Sequence, residues 1–96
     1  MYIILLKFSE NKSLASEYMS GHKEWIKTGY DQGKFLLVAS IQPSSGGAII
    51  STGSSLKEIV ELVELDPFVI NKIVKPEVIE ISPSSTSKQL EFLMEL

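Results

Sequence analysis

The chain has one histidine, His22, and an Asp-Pro-Phe segment, Asp66-Pro67-Phe68, placed in equivalent halves of a repeated strand–helix–strand pattern. Imidazole is the side chain whose unperturbed pKa lies nearest neutrality, and a neighbouring carboxylate fixes its tautomer and raises its basicity. If the fold joins them, His22 and Asp66 form a catalytic acid–base pair. Each residue also has a purely structural role open to it. His22 is then a partly buried histidine bonded to a backbone carbonyl. Asp66 is then an N-cap ahead of Pro67, an arrangement worth about 1 kcal/mol. Tyr18 and Trp25 flank His22 on its helical stripe, as core aromatics or as walls of an apolar pocket. With Ser40 and Phe68 they are the substrate-binding residues expected beside the pair.

Other chemistries find less support. A lone histidine with no cysteine leads to the expectation of no zinc or iron site and no disulfide. No serine is singled out for a Ser-His-Asp arrangement. Gly46-Gly47 is not surrounded by a phosphate-loop or dinucleotide fingerprint and reads as a hairpin requirement. All nine basic residues are lysine, so no guanidinium fork exists for a phosphate or carboxylate.

The elements that must position these residues follow from hydrophobic period. Tyr2 to Phe8 reads as a buried strand. Between about Ser13 and Gln32, residues Leu14, Tyr18, His22, Trp25, Ile26 and Gly29 share one helical stripe, and Gly33 follows as the C-cap. Lys34 to Ser40 is a second strand, apolar on both faces. Gln42 to Gly47 is a turn, and Ala48 to Thr52 a third strand paired to the second. Ser55 and Glu58 have capping-box spacing for a helix ending near Leu65. Asp66-Pro67 opens a further helical turn, and Val74 to Ile81 is the last strand. Residues 83 to 87 form a Ser-rich linker, and Lys88 to Leu96 a short amphipathic tail. The expected organisation is one α+β domain over residues 1–83 with a tail over 84–96.

The order βαββαβ predicts a ferredoxin-like sheet with both helices on one face. The first strand offers Ile3 and Leu5 to one face and Tyr2, Ile4, Leu6 and Phe8 to the other, so one apolar face would be left in water and a homodimer packed through the open sheet face is expected. Ninety-six residues with 44% hydrophobic content support one modest core. A net charge of −3 argues against nucleic-acid binding, and no apolar run approaches the ~20 residues of a membrane span. A soluble, cytoplasmic protein is expected.

The ordered set "HKEWIKTGYDQGKFLLVAS", "SSGGAIIS" and "SSLKEIVELVELDPFVINKIVKPEVIEISP" resembles the YciI-like (YCII-related) family of small dimeric α+β barrel proteins. The resemblance covers about residues 1 to 83. It implies a ferredoxin-like protomer, a dimer, and a His–Asp active site mapping onto His22 and Asp66. That family is similar to muconolactone isomerases and includes a chloromuconolactone dehalogenase. Two segments depart from its pattern. Ser40-Ile41-Gln42-Pro43 replaces a small-residue-Gly-Pro segment after the second strand, and Asn71-Lys72-Ile73 stands where a Gly-Leu pair often follows Asp-Pro-Phe. The expected function is cofactor-independent proton transfer (isomerisation, elimination or dehalogenation) on a small acidic or lactone-like substrate. The rival is a non-catalytic dimeric module that holds a small ligand or a partner. A cofactor-free monooxygenase is a third reading, on fold analogy alone.

Overall fold

The computed structural model describes residues 1–95. Four strands, β1 (Tyr2–Phe8), β2 (Phe35–Ile41), β3 (Gly46–Ser51) and β4 (Val74–Glu80), form one antiparallel sheet in the order β2-β3-β1-β4. Helix α1 (Ala15–Asp31) follows a short 3-10 turn, and α2 (Leu56–Val63) leads into the single-turn α3 (Pro67–Ile70). This is the ferredoxin-like α+β architecture that the element order predicts. No helix of the described residues is long and apolar enough to cross a membrane.

Strand alternation divides each strand between two faces. On the helix side, Tyr2, Ile4 and Leu6 pack with Phe35, Ile49 and Val74 against Trp25, Ile59, Val63 and Phe68. Burial and the Glu80 carboxylate opposite raise the Tyr2 phenol above its ordinary range. The other face is uncovered in the protomer. There the register aligns Leu37, Ile50, Ile3 and Ile79 in one apolar row across all four strands. Leu37 is 54% exposed and Ile79 37%.

Element ends follow the local chemistry. Gly33 leaves α1 at φ +71°, as a C-cap glycine does. Ser55 Oγ accepts the Glu58 amide N–H at 3.1 Å, and the Glu58 carboxylate returns to the Ser54 amide at 2.9 Å. The capping box is therefore shared between two serines. Glu58 also pairs with Lys34, tying the start of α2 to the chain ahead of β2.

Three details differ from expectation. Gly46 and Gly47 belong to β3 rather than to the turn, because their backbones already pair with Lys7 and Leu6 of β1. A bulge at Leu36 interrupts the β2–β3 register, so β2 does not alternate cleanly. Lys72 takes φ +56°, a left-handed position that a glycine would occupy with less strain. The tail forms a 3-10 helix over Lys88–Glu95, and Leu96 lies outside the described residues.

Candidate active site

Helix α1 meets α3 where Gly21 faces Pro67; a Cβ on Gly21 would lie 3.1 Å from the proline ring. This close approach sets the next residue, His22, against the Asp66 cap. His22 Nδ1 and Asp66 Oδ1 are 2.8 Å apart. The same carboxylate oxygen accepts the Phe68 amide N–H at 3.0 Å, so Asp66 caps α3 and holds the imidazole together. One carboxylate oxygen thus serves as helix cap and as imidazole contact at once, as the lone pairs of a carboxylate permit.

The surroundings hold the ring in place. Asp66 is fully buried and its Oδ2 has no hydrogen-bond partner. The imidazole lies flat on the Phe68 ring, with centroids 3.9 Å apart and planes within 3°. The Trp25 ring lies near it as well, with centroids 5.8 Å apart and planes at 23°. The Trp25 indole N–H donates to the Leu62 carbonyl at 2.9 Å, a second link between α1 and the C-terminal end of α2. Since a carboxylate can only accept, Nδ1 carries the proton and the neutral ring offers its Nε2 lone pair elsewhere.

Nε2 belongs to the side of His22 turned from Asp66, and the residue lines a cavity of about 390 Å³ between α1 and the sheet. The side chain remains 14% exposed. Leu6, Phe8, Val38 and Ile49 supply apolar floor, and Ser40 brings a hydroxyl from the end of β2. Gly46 and Gly47 keep the sheet bare of side chains there. Among the described residues on the wall, Lys23 alone has a permanently charged side chain.

Of the residues expected from sequence, His22, Phe68 and Ser40 border this cavity, with Asp66 directly behind the imidazole. Tyr18 and Trp25, expected beside them, are not part of the wall. Helical geometry gives the reason. At about 100° per residue, Met19, Lys23 and Ile26 lie roughly 40–100° round from His22 in one direction, while Tyr18 and Trp25 lie roughly 40–60° round in the other. The cavity opens on the first side, and the second faces the core and α2. Lys23 stands off the apolar stripe of α1, so the hydrophobic period does not single it out. Its signal was position: it is the residue after the histidine, on the flank that also carries Met19 and Ile26.

No family model matches the chain, and the comparison with curated proteins gave no match. Among solved structures, the chain is similar to 5-chloro-2-hydroxyhydroquinone dehydrochlorinase (TftG) from Burkholderia phenoliruptrix AC1100 in complex with 2,5-dihydroxybenzoquinone. The TM-score is 0.69 at 14% identity, over 84% of this chain and 93% of that one. At that identity the likeness establishes a shared fold.

Proposed function

We propose that this protein is a YciI-like, cofactor-independent enzyme in which His22, oriented by Asp66, moves a proton on a small acidic or lactone-like substrate. The observation that carries the proposal is the 2.8 Å Nδ1–Oδ1 contact on a ring that also borders the cavity. Nε2 takes a proton from an acidic C–H, and the electron pair passes toward an adjacent carbonyl or expels a leaving group from the neighbouring carbon. The buried Asp66 carboxylate stabilises the imidazolium so formed, the role it has in other His–Asp pairs. Isomerisation results if the proton returns to another carbon, and dehalogenation if chloride departs. A dehydrochlorinase of the same fold supports the second outcome.

The test uses two readouts on wild type and His22→Asn. One is deuterium uptake from D2O by small lactones, cyclic ketones and hydroxyquinones. The other is chloride release from 5-chloro-2-hydroxyhydroquinone. The wild type is expected to accelerate at least one reaction, and His22→Asn to lose about 10²–10⁴-fold of that acceleration. Equal rates in the two proteins, or a wild type no faster than buffer across the panel, would overturn the proposal. The rival reading, a module that holds a ligand without reacting it, draws on the cavity's apolar walls. It predicts binding with no His22-dependent turnover.

The open sheet face extends the proposal to assembly. Leaving the Leu37–Ile50–Ile3–Ile79 row in water forgoes about 25 cal/mol per Å² of apolar area, and a second copy offers the same row. Wild type is expected to sediment as a dimer. Leu37→Glu is expected to weaken the dimer at least tenfold while leaving the protomer folded, because Leu37 is already more than half exposed. A monomeric wild type would refute the dimer.

A further inference from the structure

The cavity carries a charge pattern that a proton-transfer role alone does not require. The protein is acidic overall, with 12 carboxylate side chains against 9 lysines. None of those carboxylates lines the cavity; the nearest, Asp66, is sealed behind the imidazole. Among the described residues that line the cavity, Lys23 alone carries a permanently charged side chain. In a chain without arginine, an anion entering this cavity has no other full cation to meet there.

Lys23 is also left free by its own helix. The residues three and four positions away are Met19, Ser20, Ile26 and Lys27, so no carboxylate stands at pairing distance along the helix surface. Lys27, one turn on, does pair with Asp31 at 2.8 Å, and Lys34 pairs with Glu58. Among the described residues Lys23 takes part in no ion pair. A lysine that borders an apolar hollow and takes part in no internal ion pair has its charge available to a ligand.

We infer that Lys23 is a specificity-determining residue, which selects compact, largely apolar ring compounds bearing one anionic oxygen group, a carboxylate or an enolate. The inference rests on the cavity being the working site of the proposed function, and it names that site's substrate class. The ring occupies the space between Ile26, Val38 and Phe68, and the anionic oxygen sits at the Lys23 end. His22 and Lys23 are consecutive residues about 100° apart round the helix. The anchor and the base therefore reach the same ligand from neighbouring directions, with the acidic C–H presented to one and the negative oxygen to the other. Lys23 binds and the imidazole reacts, so the two contributions are separable.

The test is a fluorine NMR titration with 4-fluorobenzoate and its neutral counterpart 4-fluorobenzamide. The proteins are wild type, Lys23→Gln, Lys57→Gln and His22→Asn. Wild type is expected to prefer the carboxylate by about five- to tenfold at low salt, the scale of one partly solvated charge pair. The preference should shrink as salt is added, since the ammonium is exposed. Lys23→Gln should erase it, and Lys57→Gln, which removes an exposed lysine away from the cavity, should retain it. No preference in wild type, an unchanged preference in Lys23→Gln, or no binding of the carboxylate would each overturn the inference. His22→Asn separates this result from the reaction itself. A variant that keeps the carboxylate preference but loses turnover supports both proposals. In wild type, turnover without the preference removes the Lys23 inference alone, and the preference without turnover removes the catalytic one alone.

Discussion

Asp66→Asn is expected to fold like wild type and to lose most of its turnover. The asparagine Oδ1 can still accept the Phe68 amide, so α3 keeps its cap. Its Nδ2 takes the place of Oδ2, which has no partner in the native structure, so the buried amide N–H groups stay unpaired at a cost of about 1–3 kcal/mol without changing the fold. What disappears is the negative charge beside the imidazole, and with it the stabilisation of the imidazolium; Oδ1, held by the Phe68 amide, can still accept from Nδ1. In His–Asp pairs that work by this division of labour the loss reaches about 10⁴-fold; a loss of 10²-fold or more is expected here. Nitrogen-15 NMR of the single histidine reads the cause directly. In both proteins the neutral ring should keep Nδ1 protonated and Nε2 bare, which leaves the lost charge as the cause of the lost turnover. Asp66→Ala tests the structural half. It removes the cap and leaves a buried ring nitrogen unpaired, which costs about 2–4 kcal/mol. At about 4–8 °C per kcal/mol for a domain of this size, the melting temperature should fall by roughly 10–25 °C. Unchanged turnover in Asp66→Asn would reduce Asp66 to a helix cap.

The largest effect on stability is expected from Gly46→Ala. Gly46 sits at φ +129°, where an L side chain is strained. A Cβ there would lie 2.1 Å from the Leu6 carbonyl oxygen and 2.9 Å from the Lys7 Cα. Both are backbone atoms of the neighbouring strand, so no side-chain rotation relieves the clash. Gly46 opens β3 opposite Lys7 of β1 and Ile41 of β2, and a shift there disturbs the sheet on both sides. Backbone strain and overpacking together should cost about 3–5 kcal/mol. Gly47→Ala is the control: its Cβ would meet only the Ala39 carbonyl, at the ordinary distance of 3.5 Å. Chemical denaturation of the two variants should differ by more than 2 kcal/mol, an interval set by the same two effects. Equal midpoints would show that the entry to β3 adjusts without penalty.

The fold was legible because its signals are local and agree with one another. The alternating Tyr2, Ile4 and Leu6 marked β1, and the Leu14–Gly29 stripe marked α1. Ser55, Asp66 and Gly33 supplied the caps that bounded the helices. The His22–Asp66 contact was legible only as a possibility, because it joins residues distant in sequence through the packing of α1 on α3. Gly21 permits that packing, and nothing in the local sequence distinguishes it from a helix-weakening glycine. The side of α1 on which the cavity opens was not legible either. Tyr18 and Lys23 are both neighbours of His22 on a helical wheel, and choosing between them requires knowing where α2 and the sheet lie. The Leu36 bulge was hidden because Phe35-Leu36-Leu37-Val38 is apolar at every position, so no alternation exists to be broken.

The two edges of the sheet bear on how concentrated protein behaves. At β4, Pro76 lacks the N–H that an incoming strand would need, and lysine flanks it at position 75. At β2, the bulge at Leu36 spoils the regular spacing of outward-facing backbone groups. Neither margin is a flat template for strand addition, although the sheet is rich in isoleucine and leucine. Fibril growth, which proceeds margin to margin, is obstructed at both ends. The folded chain should therefore stay free of ordered filaments even in concentrated solution.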